Sequence, residues 1–171
     1  IVSRTFYENQ LLTAEELKLK RMARQPCKWV HVSGGEIKHR DEGYSNPREV
    51  PLVVKQAKAA MQRYGKDVDI RVITFYNMQK HELERAIKRE ASLRHIRIVS
   101  VDSCQGSDAD VIIISAVRSR GPGKLSGFML DRSRLCVALS RAKEECIIVG
   151  DKKTLRSNGG DVWKAVVDHY T

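Results

Sequence analysis

The chain has 171 residues, of which 42% are hydrophobic and 30% are charged, a composition typical of one globular domain and unlike that of a disordered segment. Its formal net charge of +10 and sequence pI of about 9.6 favour a polyanionic partner, nucleic acid above all, although a basic surface can also serve solubility alone. No apolar run approaches the roughly 20 residues that cross a bilayer, so no membrane partner is expected.

The four cysteines and five histidines show no spacing typical of a metal site, so no metal ligand is predicted. Scattered cysteines without such spacing suit a reducing compartment, and we expect an intracellular protein, either cytoplasmic or nuclear. The chain begins with Ile1 rather than Met and shows no signal-peptide pattern, so we expect it to be a fragment of a longer protein.

The first predicted elements are a strand, a loop and a helix. Residues 28–33 alternate in polarity and predict the strand, and the polar residues 36–46 predict the loop. Residues 46–49 (Asn-Pro-Arg-Glu) have the pattern of a capped helix start, in which capping accounts for both the Asn and the Glu. The apolar spacing that follows predicts a helix to about Tyr64. Pro51 conflicts with a regular first turn, so the helix is either distorted or begins there.

A second strand and helix follow. Residues 69–75 predict the strand, and the apolar spacing after them predicts a helix from Met78 to about Glu90. Asn77 has the position and chemistry of an N-cap for this helix. The free backbone amides at such a helix start can bind an anion.

Two apolar runs flank a polar loop in the middle of the chain. Residues 96–101 and 111–117 are rich in Val and Ile, which predicts strands that are buried on both faces of a parallel or mixed sheet. The loop between them holds Gln105, Gly106 and Asp108. Because α/β proteins keep their ligand sites in loops at a sheet edge, we expect this loop to belong to a binding site.

The C-terminal part continues the alternation. Asp131 is predicted to cap a helix over residues 132–143, a strand follows at residues 144–150, and two short helical segments complete the chain at residues 151–156 and 161–170. Because strands and helices alternate through most of the chain, we predict an α/β layered fold.

Three motifs resemble those of superfamily-1 helicases of the up-frameshift type, with hints of the senataxin and NFX-type zinc-finger branch. Residues 101–108 (V-D-S-C-Q-G-S-D) are similar to the fifth motif, usually V-D-x-F-Q-G-x-E, and residues 134–143 (R-L-C-V-A-L-S-R-A-K) are similar to the sixth, R-L-N-V-A-L-T-R-A-[KR]. Residues 73–79 (I-T-F-Y-N-M-Q) resemble the motif I-[ST]-P-Y-x-x-Q. The resemblance implies that residues 1–171 form a single domain, the second and C-terminal RecA-like domain of such an enzyme, with a mainly parallel central sheet flanked by helices.

The resemblance also implies a nucleotide site. Arg141 would be the arginine finger that reaches the γ-phosphate of ATP, and the alternative is a surface arginine paired with one of the two glutamates that follow it. Gln105, Gly106, Asp108 and Arg134 would contact the nucleotide. Asp108 stands where the family has a Glu that holds the ribose.

Candidate contacts to a single strand of nucleic acid come from two strand ends, where hydroxyls, amides and a helix N-terminus can hold a phosphate backbone without reading sequence. Tyr76 could stack on a base or could be a core aromatic, and the sequence leaves both open. The candidates are Thr74, Tyr76, Asn77, Ser100, Asp102 and Ser103.

The chain contains no G-x-x-x-x-G-K-[ST] loop and no Asp-Glu pair in the order that holds Mg²⁺. We therefore expect this domain alone to be inactive as an ATP hydrolase, with ATP and Mg²⁺ bound mainly by the first RecA-like domain of the same chain. The expected substrate is a single strand, with RNA favoured over DNA. The alternatives are a non-catalytic nucleic-acid-binding module with a degenerate helicase fold and a protein-interaction scaffold.

Overall fold

The computed structural model describes residues 27–40, 43–104, 106, 108–119 and 125–170. Its strands are β1 (Cys27–His31), β2 (Ile37–His39), β3 (Gly43–Ser45), β4 (Ile70–Thr74), β5 (Arg97–Ser100), β6 (Ala109–Ser115) and β7 (Ala142–Gly150). Five of them form one parallel sheet in the order β1-β7-β6-β4-β5, and β2 and β3 form an antiparallel hairpin.

The helices cover both faces of the parallel sheet. They are α1 (Val50–Tyr64), α2 (Asn77–Arg89), α3 (Gly127–Leu130), α4 (Arg132–Leu139), α5 (Lys152–Asn158) and α6 (Gly160–His169), with short 3₁₀ turns at Ala91–Leu93 and Val101–Ser103. Within the described residues, none of these helices combines the length and the apolarity that a membrane span requires.

Two hydrophobic clusters, one on each face, hold the layers together. On one face Leu83 of α2 packs with Val72 of β4, and on the other Leu135 of α4 packs with Ile112 of β6. Residues 111–114 of β6 are fully buried because helices lie on both sides of this central strand, as the continuous Val-Ile run predicted. The α/β three-layer fold with a mainly parallel sheet, predicted as RecA-like, is confirmed.

The order of the strands determines where the polar loop runs. β5 and β6 lie on opposite sides of β4, so their connection at residues 101–108, here called the crossing segment, passes over β4. It begins at the edge where the parallel strands end, the carboxyl edge, and finishes at the opposite amino edge. Val101 and Cys104 belong to the same hydrophobic cluster as Ile73 of β4, so residues 101–104 of the crossing segment lie on the same face as α4.

Two predictions near the first helix were wrong. The predicted loop at residues 36–46 contains the β2-β3 hairpin, which packs closely enough that a side chain at Gly43 would meet the Tyr76 ring at 2.8 Å. Helix α1 begins at Val50, and Glu49 precedes it without any side-chain capping hydrogen bond. Asn46 Oδ1 does accept from the Arg48 amide at 3.1 Å, but no capping box forms because the Asn46 side-chain nitrogen and the Glu49 carboxyl bond to distant residues. Pro51 takes a position in the first turn, where it costs no hydrogen bond.

Two other boundaries differ from the prediction. Asn77 is the first residue of α2, and the residue before it, Tyr76, takes the N-cap position without a side-chain hydrogen bond. Helix α4 ends at Leu139 because β7 already begins at Ala142, which pairs with Ala109 of β6. Arg141 therefore lies in the turn between α4 and β7, and not within a helix.

Candidate functional site

Arg141 lies at the amino edge, where strand pairing fixes its neighbours. The Arg141 carbonyl accepts a hydrogen bond from the Ala109 amide at 3.0 Å, which places Asp108 beside it. Arg141 Nη1 donates to Asp108 Oδ1 at 3.0 Å, and Arg141 Nε donates to the Val137 carbonyl at 3.3 Å. Within the part of the chain that the structure describes, the other donors of this guanidinium have no partner. The side chain remains 18% exposed, so these donors can meet a ligand at the edge.

The glutamates after Arg141 are not its partners. Glu145 is buried and pairs with Arg63 of α1, Oε2 to Nη2 at 2.6 Å, on the opposite face of the sheet. Its neighbour Glu144 is exposed. The structure thus brings together Arg141 and Asp108, both predicted site residues, rather than Arg141 and a glutamate.

The other residues of the polar loop are placed in part. Gly106 is exposed and has φ of +72°, and a Cβ atom there would meet nothing within 4 Å. Glycine is therefore required at Gly106 by its backbone conformation and not by lack of space. Gln105 lies outside the described residues.

Arg134 lies apart from Arg141. It lies in the first turn of α4, five residues and about 8 Å along the helix axis before the last residue of that helix, and Arg141 lies beyond that end. Arg134 Nε donates to Asp102 Oδ1 at 2.6 Å and Nη1 to Asp131 Oδ2 at 3.0 Å, and the guanidinium lies 4.6 Å from the centre of the Phe128 ring. The structure therefore does not gather all the predicted nucleotide contacts at one place.

At the carboxyl edge, the predicted nucleic-acid residues divide into accessible and inaccessible ones. Asn77 and Ser103 are exposed and Ser100 is partly exposed. The hydroxyls of Ser100 and Ser103 lie 2.9 Å apart. Asp102 is exposed, but its carboxylate is paired with Arg134. The edge therefore offers two hydroxyls, an amide side chain and the N-terminus of α2.

Thr74 and Tyr76 correct the prediction. Thr74 is fully buried, and its hydroxyl donates to the Ser115 carbonyl at 3.1 Å, so it is not available to a bound strand. Tyr76 is 8% exposed, with its ring packed edge-on to Tyr44 at a centroid distance of 5.4 Å and tilted against Phe128 at 6.1 Å. Tyr76 is thus a core aromatic, the alternative that the sequence left open, and does not present a face to a base.

Sequence reasoning missed a buried polar cluster at the carboxyl edge, formed by Asn46, Glu49, Gln79 and Ser115. Gln79 Oε1 accepts from the Asn46 amide at 2.8 Å, and its Nε2 donates to Ser115 Oγ at 2.9 Å. Ser115 Oγ also bonds to Glu49 Oε2 at 2.6 Å, and the Val117 amide donates to both Glu49 oxygens at 2.9 and 3.0 Å. This network supports Val117, whose φ of +70° is rare for a β-branched residue.

Glu49 is fully buried in this cluster. Burial raises the pKa of Glu49 to about 8, while hydrogen bonds from Ser115 and Val117 act in the opposite direction. The carboxyl group is therefore protonated at neutral pH. The sequence carried two signals for this cluster: the Asn-x-x-Glu spacing, which a local capping pattern also explains, and Gln79, the last residue of the motif at residues 73–79.

The same edge buries a second set of polar contacts. Arg118 is 7% exposed, donates from Nε to Glu36 Oε2 at 2.9 Å, and lies 4.0 Å from the centre of the Tyr44 ring. Ser119 donates to Asp151 Oδ2 at 2.6 Å. These contacts hold the segment after β6 against the hairpin and against the start of α5.

Comparison with known proteins extends these observations. A family model described as AAA domain matches residues 1–153. The Neurospora crassa homolog of regulator of nonsense transcripts 1 is 31% identical over 147 residues, 83% of this chain and 13% of the relative. Helicase sen1 of Schizosaccharomyces pombe is 36% identical over 130 residues, 72% of this chain and 8% of the relative.

A third relative, the Caenorhabditis elegans homolog of NFX1-type zinc finger-containing protein 1, is 28% identical over 180 residues, which cover 99% of this chain and 7% of the relative. The chain thus spans a small part of each of these proteins. Among solved structures, the C-terminal domain of a possible DNA helicase from Lactobacillus plantarum WCFS1 has a TM-score of 0.50 at 14% identity, covering 78% of this chain and 84% of that one. This likeness shows a shared fold.

Proposed function

Because this chain belongs to the AAA-domain family and is a superfamily-1 helicase domain of the up-frameshift type, we propose that it is the second of two RecA-like domains in a nucleic-acid motor. It contributes an arginine finger to an ATPase site that it shares with the first domain, and it contributes part of the grip on a single strand. By itself it does not hydrolyse ATP.

The observation that carries this proposal is the position of Arg141. Its guanidinium lies at the amino edge, fixed on one side by Asp108 and the Val137 carbonyl, with its remaining donors unpaired among the described residues. A planar guanidinium with free donors fits the oxygens of a phosphoryl group, on which negative charge accumulates in the transition state. ATP and Mg²⁺ would be held mainly by the first domain, and Arg141 would stabilise the charge that develops on the γ-phosphate.

The strand grip is proposed for the carboxyl edge, at Asn77, Ser100 and Ser103. Hydroxyls, an amide and the uncapped N-terminus of α2 are donors of the kind that hold a phosphate backbone independently of sequence. The positive net charge of the chain supports the same assignment. RNA is the proposed strand, in line with the relatives named regulators of nonsense transcripts, and DNA is the alternative, in line with the relatives named as DNA helicases. The placement can be tested by photocrosslinking a bound strand to the protein. Crosslinks that form elsewhere and not at residues 77 and 100–103 would contradict it.

The test is Arg141→Ala in the full-length protein. We expect kcat for strand-stimulated ATP hydrolysis to fall by about 10³-fold, as when other arginine fingers are removed, while the affinity for a single strand without nucleotide stays within about twofold because Arg141 lies at the opposite edge. Arg85→Ala is the control, since this exposed arginine on α2 pairs with Glu82 nearby and its loss changes the net charge equally. Unchanged turnover of Arg141→Ala removes the finger assignment. Strand binding by a full-length protein that shows no strand-stimulated ATP hydrolysis would instead favour a non-catalytic binding module.

A further inference from the structure

The buried polar cluster at the carboxyl edge reaches the first turn of α2. Ser115 Oγ lies 2.6 Å from Glu49 Oε2 and 2.9 Å from Gln79 Nε2, so a single hydroxyl bridges the carboxyl group and the amide. Gln79 is the third residue of α2 and is fully buried. The Glu49 carboxyl is therefore connected, through one bridging side chain, to the helix start that carries Asn77.

The start of α2 has no negative charge of its own. Tyr76 takes the N-cap position without a side-chain hydrogen bond, and the first turn contains no acidic residue. The positive end of the helix dipole is therefore available to a phosphate of a bound strand. A negative charge that appears close behind this helix start would cancel part of its positive potential and weaken the attraction.

Glu49 can supply such a charge. Burial raises the pKa of Glu49 to about 8, the Asp151 carboxylate acts in the same direction, and hydrogen bonds from Ser115 and Val117 oppose them. Despite partial burial, the hydrogen bond from Ser119 holds the pKa of Asp151 below its usual value, so Asp151 at the start of α5 is a constant charge. The side chains that α2 and the end of β6 contribute to the cluster are neutral. Within the described residues of the cluster, Glu49 is thus the group that changes its charge in weakly alkaline solution.

We propose that the proton on Glu49 controls the strand grip, because loss of this proton places a negative charge that weakens the binding of a strand phosphate at the start of α2. This inference rests on the proposed function of the carboxyl edge. A charge on Glu49 would be buried, so salt would screen it poorly. By linkage, a bound phosphate makes the proton harder to remove by the same factor. Strand binding in weakly alkaline solution is therefore coupled to proton uptake.

The experiment measures the affinity of the full-length protein for a fluorescent uridine oligonucleotide, without nucleotide and at constant ionic strength, between about pH 6.5 and 9. We expect the wild-type affinity to fall by about threefold to tenfold more than that of Glu49→Gln, because glutamine keeps the contacts and cannot ionise. Glu90→Gln is the control. It makes the same exchange at the other end of α2, where Glu90 pairs with Lys58, and it should follow the wild type.

Calorimetry provides a second measurement that needs no variant of the wild-type fold. In buffers of different ionisation enthalpy at about pH 8, strand binding by the wild type should be accompanied by proton uptake, and Glu49→Gln should lack this uptake. A purely structural role of Glu49 would lower the affinity of Glu49→Gln equally at every pH and leave the proton uptake unchanged. That result overturns the inference, as do equal pH profiles of the wild type and Glu49→Gln or strand binding by the wild type without proton uptake.

A variant of the grip itself separates this inference from the proposed function. Asn77→Ala combined with Ser100→Ala and Ser103→Ala should weaken strand binding at about pH 6.5, where Glu49 is protonated. If it does so while Glu49→Gln follows the wild type at every pH, the role of Glu49 alone is overturned. If the combined variant binds the strand as the wild type does, the placement of the strand and this inference are overturned together.

Discussion

Glu49→Gln is expected to remove a pH dependence of stability that the wild-type chain shows between weakly acidic and alkaline solution. In the folded chain the pKa of Glu49 is about 8, raised by burial from its usual 4.5. When folding raises the pKa of a carboxyl group, that group contributes fully to the stability of the folded chain at pH values below its pKa in the unfolded chain. The contribution is lost as the pH rises through the pKa of the group in the folded chain. The chain should therefore become less stable as the buried group is forced to ionise.

The magnitude follows from the pKa difference. One pKa unit corresponds to about 1.4 kcal/mol, so the whole titration of Glu49 is of the order of 5 kcal/mol, and about 3 kcal/mol of it falls between about pH 5.5 and 8.5. This is a large fraction of the stability of a typical domain. Glutamine has the shape of the protonated acid, so its oxygen can accept from the Val117 amide and its nitrogen can donate to Ser115 Oγ, which removes the titration and keeps the contacts.

The assay is urea unfolding of the 171-residue chain at several pH values, followed by the fluorescence of its two tryptophans. We expect the wild-type free energy of unfolding to fall over this pH range by about 3 kcal/mol more than that of Glu49→Gln. Glu49→Ala is the matched comparison, since it removes the acceptor for the Ser115 hydroxyl and for the Val117 amide and should be destabilising at every pH. Equal pH dependence of the wild type and Glu49→Gln refutes the reasoning, because another group would then be responsible.

Two further predictions concern local packing and capping. Gly150→Ala should lower the free energy of unfolding by about 1–3 kcal/mol, as measured by urea unfolding. The new Cβ would lie 2.8 Å from the Cβ of Ala116, so one strand end would have to move. Asp131→Ala should cost about 1 kcal/mol, because the Asp131 side chain accepts from the amides of Ser133 and Arg134 at the start of α4; thermal unfolding followed by circular dichroism measures this.

Each of these predictions has a control in the same chain. Gly127→Ala adds a methyl group that meets nothing within 4 Å, so it should leave the free energy of unfolding nearly unchanged. Asp67→Ala removes an exposed carboxylate in a turn and should be equally mild. If Gly127→Ala lowers the free energy of unfolding as much as Gly150→Ala does, the steric contact is not the cause. If Asp67→Ala lowers it as much as Asp131→Ala does, the helix cap is not the cause.

The parallel sheet could be predicted from the sequence because its cause is local. The Val-Ile run of β6 consists of residues that fit a strand covered on both faces, and Asp131 caps its helix by bonds to amides two and three residues away. Such patterns depend on neighbours in the chain, and the structure confirms both.

The errors occur where distant residues decide the outcome. Asn46 and Glu49 matched a capping box. Asn46 Oδ1 does accept from the nearby Arg48 amide, but Asn46 Nδ2 donates to the Val117 carbonyl, 71 residues away, and Glu49 accepts from Ser115, 66 residues away. Thr74 had the chemistry of a phosphate ligand, yet pairing between two strands buries its hydroxyl. Local spacing could not distinguish these cases, because the partners become adjacent only when the sheet forms.

The end of α4 shows the same effect at the proposed nucleotide edge. The sequence motif continues as a helical pattern beyond residue 139, but Ala142 pairs with Ala109 and draws the chain into β7. This places Arg141 in a turn beside Asp108. The sequence motif identified Arg141 as the candidate arginine finger. Its ion partner, Asp108, is determined by strand register, which cannot be read from the sequence.

Two acid–arginine pairs give the proposed motor domain a continuous connection between its two edges. Asp102, at the start of the crossing segment, pairs with Arg134 in the first turn of α4, and Asp108, at its end, pairs with Arg141 just after α4. The segment and the helix are thus joined at both ends. A displacement of the carboxyl edge, where the strand is proposed to bind, would therefore be passed to the amino edge through α4 and its two ion pairs. Asp102 and Asp108 are only six residues apart in the chain, a span of at most about 20 Å, so the proposed grip and the proposed finger would be limited to that range of separate movement.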